Sequence, residues 1–352
     1  MSGLLFSPPL FKGASPAMTH AYDISSVCNA LVDFLVQGTE EDLETNSLTK
    51  GCMHLLPSQD QEKILKTLGG RSRTFELGGS SLNVMRALAA LGQKVAFAGM
   101  VGEDSYGDII LKRMAELKIE PFLVKHQKEP TGVCLVLVTP DGERTMITSL
   151  GASRLYGLDA VPLEAIGKSR MFHFCGYQWD TEGQKAAILK ALSKAEQTGA
   201  LISFDLSDPF VVSAHREDFL DLIQNHPIHV LFANKEEARH LVQKEGATLG
   251  SLLGQKAGVS PIAVTKLGAQ GAMIEKLGQA PILVPALPVK VVDTTGAGDM
   301  FGAGFLFGLL HGKSLPECGR LATLLARDVI SRMGATLSEE ALEECRLSLL
   351  PK

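Results

Sequence analysis

The sequence predicts an α/β protein with a mostly parallel central sheet, helices on both faces, and a small β-sheet lid. Three observations carry this. From Arg170 onward, strand-length apolar runs at 171–175, 201–206 and 230–233 alternate with helix-length segments at 182–198 and 215–224. Such alternation builds parallel strands joined by crossovers. A polar, irregular stretch at 34–75 breaks that rhythm, and runs at 131–138 and 143–148 flank Pro140-Asp141-Gly142, a hairpin signal. Two strands are not stable alone, so the hairpin and the irregular stretch are expected to pair as a second, small sheet. Finally, Asp293-Thr294-Thr295-Gly296-Ala297-Gly298-Asp299 lies between an expected strand end at 289–292 and the apolar run 302–310. Phe301, Phe305, Leu306 and Leu309 fall at helical spacing there.

In chain order, residues 1–20 contain prolines and lack a basic segment ahead of an apolar core, so they read as a flexible extension and not as a signal peptide. Residues 22–28 read as the first strand. Asn29-Ala30-Leu31-Val32-Asp33 follows at its C-terminal end, where open α/β sheets bind ligands; turn chemistry explains Asn29 and Asp33 equally well. The expected core comprises 21–33, 76–120 and 151–352, and the lid 34–75 and 121–150. A helix-like patch marks 58–68. Gly78-Gly79-Ser80-Ser81-Leu82-Asn83 precedes a helix at 84–91, and its glycines suit close approach of the backbone to a ligand. Asn83 reads equally as a helix-start residue. The turn 102–108 between a strand at 95–101 and a helix at 109–117 reads as architectural. Arg144 reads as a solvated strand charge or, less readily, as a phosphate-facing residue, and His173 as a core histidine. Tyr177 is either packed or free to stack on a base, and Asp205 and Asp208 are as ready to cap turns as to do chemistry. Asn234 and Glu237 have capping-box spacing. A strand at 262–265, the turn 266–271 and a strand at 272–275 follow, and 318–333 reads as an amphipathic helix.

The turn before the buried helix carries the chemistry. Backbone N–H groups of Gly296, Ala297, Gly298 and Asp299 lack intrahelical partners and point at the positive end of the helix dipole, a ready anion site. A carboxylate beside that site suits removal of a proton from a hydroxyl attacking a phosphoryl group, while the N–H groups stabilise the developing charge. A plain helix cap at Thr295 or Asp299 is the alternative. Two other glycine loops do not fit. Phe301 stands where a dinucleotide fingerprint needs glycine, and Gly308-Leu-Leu-His-Gly312-Lys313-Ser314 is one residue short of a P-loop and follows a helix.

Residues 293–299 resemble the C-terminal signature of the ribokinase-like (PfkB) family of carbohydrate and nucleoside kinases. The resemblance runs from Ser25 to Leu337, with five motifs in order. It implies a ribokinase-like fold and an ATP-dependent kinase using Mg²⁺. It makes Asp299 the catalytic base and Gly296, Ala297 and Gly298 the anion hole. It puts Asn29, Asp33, Gly78, Gly79 and Asn83 on the sugar, with Tyr177 as the base-stacking candidate. Asn234, Thr265, Gly268, Gly271 and Thr295 then border the nucleotide, and Glu237 orients Mg²⁺ indirectly. Thr323 departs from the Asn or His of many relatives at the adenine side. The long lid segment and Pro130-Thr-Gly-Val-Cys-Leu are most similar to the adenosine-kinase branch. The implied reaction phosphorylates the hydroxymethyl of a ribofuranosyl compound, adenosine first. A ribose- or fructose-type sugar kinase is the alternative. A non-catalytic nucleotide or nucleoside sensor would not need a base beside the anion hole.

The totals agree with this reading. Hydrophobic residues make up 45% and aromatics 6%, an ordinary globular composition. A net charge of −5 argues against a nucleic-acid or anionic-membrane partner. No run is long enough for a membrane span. Cys28, Cys52, Cys134, Cys175, Cys318 and Cys345 show no metal-ligand spacing and read as reduced thiols of a cytoplasmic protein, monomeric or homodimeric.

Overall fold

The computed structural model describes residues 20–254 and 259–350. The expected N-terminal extension lies, except for His20, outside the described residues. The strands are β1 Tyr22–Val27, β2 Leu31–Gln37, β3 Met53–Leu55, β4 Arg73–Gly78, β5 Val95–Gly102, β6 Ile119–His126 and β7 Thr131–Val138. They continue as β8 Arg144–Gly151, β9 Ser169–Cys175, β10 Leu201–Asp205, β11 Val230–Asn234, β12 Ile262–Lys266, β13 Ala272–Lys276 and β14 Ile282–Val284.

Nine strands form one sheet in the order β14-β13-β12-β11-β10-β9-β1-β5-β6. Its neighbours are parallel except at the β12–β13 and β13–β14 pairs. Side chains alternate across each strand. Met171 and Cys175 therefore join the core under helices Ser80–Ala90, Ala297–Leu310 and Leu315–Ile330, whereas Phe172 and Phe174 join the core under Glu182–Thr198 and Arg216–Asn225. Both faces are buried, which is why these strands read as continuous apolar runs. The second sheet has the order β3-β8-β7-β2-β4. Its own apolar cluster joins Val36, Leu135, Leu137 and Ile147 to Ile64 of helix Ser58–Thr67.

Three expectations fail. The expected core residues 31–33 and 76–78 lie in the small sheet, because β2 pairs with β4 and β7 from Leu31 onward. Residues 121–126, expected in the lid, are the β6 edge strand of the large sheet, paired with β5; the charges toward its end reflect a half-exposed edge, not a change of sheet. Residues 289–292 form no strand. The Val292 N–H instead donates to the Ile330 carbonyl at 2.8 Å, leaving Val291 and Val292 exposed.

Candidate active site

The two sheets face a shared cavity of 1010 Å³. One wall is the turn at 293–298. Asp293 is fully buried and folds this turn. One of its oxygens accepts from the backbone N–H and hydroxyl of Thr295 at 2.8 and 2.6 Å, the other from the Gly334 N–H at 2.8 Å. Gly296 then takes φ +73°, and a Cβ there would stand 2.7 Å from that of Ala335. Gly296 is also the N-cap and offers no side chain. The N–H groups of Gly298 and Asp299 therefore have no intrahelical acceptor, and both residues line the cavity. Ala297, expected to offer its N–H as well, turns it back to the Thr294 carbonyl at 3.2 Å.

The Asp299 carboxylate lies in that first turn. Ser80 Oγ donates to Oδ1 at 2.7 Å and Asn83 Nδ2 donates to Oδ2 at 2.9 Å. Burial raises its pKa, while these two hydrogen bonds and Lys266 oppose the rise. Asn83 in turn accepts from Arg86 Nη1 at 3.0 Å, which also donates to the Leu77 carbonyl at 2.8 Å. Asn83, expected on a sugar, is thus also the group that orients the carboxylate, and Ser80, absent from the sequence expectations, shares that task. The glycines before it masked Ser80, although its place at a helix start was a usable signal.

Asp33 faces the cavity from β2, with Glu76 and Cys134 as its register neighbours. It is buried, and burial pushes its carboxyl up to about 7, Arg86 opposing. No hydrogen bond from the described residues reaches it, so it is available to a hydroxyl-bearing ligand. A Cβ on Gly78 would overlap the Asp33 carboxylate, which accounts for that glycine. Gly79 lines the cavity, as does Asn29, whose Oδ1 accepts from Gln184 Nε2 at 2.9 Å. Arg144, read as a solvated charge or a phosphate-facing residue, is half-buried on β8 and lines the cavity with Asp33. Half-buried Tyr177 packs against the core and also lines the cavity. Phe210, 73% exposed at the cavity, is an apolar surface that the sequence reading missed.

Asn234 and Glu237 form the capping box that their spacing suggested and also line the cavity. Glu237 accepts from the Asn234 N–H at 2.7 Å and from Nδ2 at 2.6 Å, and Asn234 Oδ1 accepts from the Glu237 N–H at 2.8 Å. Burial pushes Glu237 up to about 7, with Lys266 opposing. Gly268 and Gly271 line the same region. Thr265 does not. It is buried with an unpartnered hydroxyl, and strand alternation gives the cavity face to Lys266, whose Nζ meets Asp205 Oδ2 at 2.9 Å. Asp208 caps helix Pro209–Ala214, donated to by the Phe210 N–H at 2.7 Å. Thr323 is also turned away: its hydroxyl donates to the Arg320 carbonyl at 3.0 Å, and Ala326 and Ile330 of that helix reach the cavity instead. Thr295 lines the cavity with its hydroxyl committed to Asp293. His173 is a core residue on Ser203 Oγ at 3.1 Å, held down to about 4 by burial.

The pfkB family carbohydrate kinase model matches residues 58–342. The chain belongs to the PfkB family. It is therefore an ATP-dependent carbohydrate or nucleoside kinase, a phosphotransferase with an alcohol group as acceptor. A probable sugar kinase from Rhizobium etli has the same ribokinase-like fold, with TM-score 0.86 and 33% identity over 94% of this chain and 100% of that one. An adenosine kinase from Sinorhizobium meliloti fits with TM-score 0.86 and 31% identity, covering 93% of this chain and 99% of that one. An uncharacterized sugar kinase of Archaeoglobus fulgidus is 29% identical over 70% of this chain and 96% of its own length. PfkB kinases use ATP with a divalent cation. The donor set suits a polyphosphate: two uncapped N–H groups, and an ammonium 3.2 Å from where a Gly298 Cβ would stand. Among the described residues no cluster of three or more His, Cys, Asp or Glu could hold a metal. A divalent cation here would depend on phosphate oxygens and water, with a carboxylate such as Glu237 beside it, the usual manner for Mg²⁺. Among the described residues no helix is long and apolar enough to cross a membrane.

Proposed function

We propose that this kinase transfers the γ-phosphoryl group of ATP, with Mg²⁺, to the hydroxymethyl of a ribofuranosyl compound, adenosine being the first candidate. One observation carries the reading: a carboxylate held by Ser80 and Asn83 stands in the first turn of an uncapped helix, facing the same cavity as Asp33, whose carboxylate accepts no hydrogen bond among the described residues. Asp33 accepts sugar hydroxyls, Asn29 and Gly79 shape the floor around them, and Gly78, which does not itself line the cavity, leaves room for the Asp33 carboxylate. Asp299 takes the proton from the attacking hydroxyl. The N–H groups of Gly298 and Asp299 face the charge that develops on the transferred group. Asn234, Gly268, Gly271, Thr295 and Glu237 border the nucleotide. Mg²⁺ supplies charge neutralisation across the phosphates when bound.

A nucleoside is favoured over a bare sugar by the apolar surface that Leu55, Leu56, Phe210, Val211, Ala214 and Tyr177 contribute to the cavity lining. A free sugar offers such a surface nothing to cover it. The sugar-kinase reading is favoured by the likeness to the Rhizobium etli protein. ADP formation with Mg-ATP, measured against adenosine, other nucleosides, ribose and fructose, separates the two. Adenosine-dependent turnover supports the first reading. Turnover with free sugars alone overturns it in favour of the second.

A further inference from the structure

We propose that Lys266 is a phosphate-binding cation of the transfer site, positioned by Asp205 so that its ammonium and the Gly298 and Asp299 N–H groups hold one and the same phosphoryl group. The proposal rests on reading residues 296–299 as the transfer site.

Lys266 ends β12 at the sheet edge where ligands bind, between the turn at Gly268–Gln270 and the helix that starts at Ala297. Its side chain is 15% exposed and that of Asp205 is 7% exposed, with Nζ 2.9 Å from Oδ2. A buried ion pair is poor value as a structural fastener, because well-packed apolar residues do as well or better. The surroundings point to a ligand instead. Lys266 lines the cavity, and the charges it feels come from Asp205, Glu237 and Asp299. Burial opposes its charge, but those three carboxylates outweigh burial and keep the ammonium protonated. Without it, a polyphosphate arriving at the helix N-terminus would face those three carboxylates, with Arg144 on the opposite sheet as the other cation lining the cavity among the described residues. The ammonium also lies against the helix N-terminus: a Cβ at residue 298 would stand 3.2 Å from Nζ.

In the transfer, the acceptor oxygen forms its bond to the γ-phosphorus and its proton passes to Asp299. The bond from that phosphorus to the bridging oxygen breaks, and its electron pair leaves on ADP. Lys266 keeps its proton throughout and serves as a fixed charge. Asp205 acts through Lys266 and is a positioning residue.

The test uses the full chain with Lys266→Met, Lys266→Arg, and the double variant Lys266→Met with Asp205→Asn. Turnover, KM values, and the affinities for AMP-PCP and for ADP, which lacks the γ-phosphoryl group, are measured. Lys266→Met is expected to lower kcat by roughly 10²–10³-fold, the scale for loss of one charge-stabilising donor. It should weaken AMP-PCP at least tenfold while changing ADP and acceptor binding far less. Lys266→Arg should recover part of the loss, and the double variant should stay slow. Recovery of turnover in the double variant would mean that Lys266 only balances Asp205 and would overturn the proposal. Equal losses for ADP and AMP-PCP would also overturn it, as a sign of general disorder. If the wild-type chain transfers phosphate to no acceptor, the transfer-site reading falls. The comparison of AMP-PCP with ADP then still decides whether Lys266 binds the terminal phosphate.

Discussion

A carboxylate in the first turn of a helix is normally stabilised as an anion by the dipole, yet Asp299 has its pKa raised because burial dominates. Its two hydrogen bonds work the other way, so they tune the base as well as aim it. The deprotonated form accepts the proton, and activity falls as pH drops through its pKa. Ser80→Ala removes one bond that lowers that pKa, and the acid limb of kcat/KM should move to higher pH. A limb that stays put or moves down would contradict the role of Ser80. Asp33 allows a stability test. Its pKa rises from 3.8 unfolded to about 7 folded. Between those values the folded chain holds a proton that the unfolded chain releases, so its contribution falls as pH rises through the window. Asp33→Asn should therefore melt above the wild type at pH 8, by roughly 1–4 kcal/mol of stability, and match it near pH 3. The acceptor KM should rise at least tenfold in the same variant. Equal pH dependence of melting in both proteins would refute the buried-carboxylate account.

Elements were readable where local chemistry and tertiary pairing agree. Helix Glu182–Thr198 is bounded by a capping Thr181 and a left-handed Gly199, and the alternation of runs located it to the residue. The turn at 293–298 was equally plain, because Gly296 takes φ +73° and small residues surround it. Gly296→Ala combines backbone strain with the Ala335 clash, so it should lower both melting temperature and kcat, the latter by more than about tenfold given what small misplacement costs. An unaltered kcat would show that the turn is not part of the site. What could not be read depends on register. Thr265 and Lys266 are adjacent, and only the pairing of β12 with β11 and β13 decides which one faces the ligand. Thr323 lost its place to Ala326 and Ile330 for a similar reason, since helix rotation is set by packing on Ala297–Leu310. Strand β6 was hidden by its exposed edge, and Ser80 by the motif glycines around it.

At the scale of the molecule, the small sheet carries apolar clusters of its own around Val36 and Leu35, while Val32 and Leu77 at its base join the core of the large sheet. Residues 40–70 contribute Leu43, Ile64 and Leu68 to the first of these clusters and none to the large-sheet cores, so this outer segment is the part able to shift against a rigid base, as closure and exclusion of water require. Amide exchange across residues 40–70 should slow when acceptor and AMP-PCP are both bound, while β9, β10 and β11 remain unchanged. Slowing confined to the large sheet would argue against a lid. That both sheets supply the site explains why composition alone could not place it: Asp33 comes from one sheet, and Lys266 and Glu237 from the other.

Asp299 as the base of a phosphoryl transfer is open to one decisive assay: ADP formation with Mg-ATP and saturating acceptor in Asp299→Asn beside the wild type, with acceptor affinity measured on both. The variant should lose kcat by roughly 10²–10⁴-fold, the range for a general base, with acceptor affinity and melting temperature nearly unchanged. Turnover within a few fold of the wild type would contradict it.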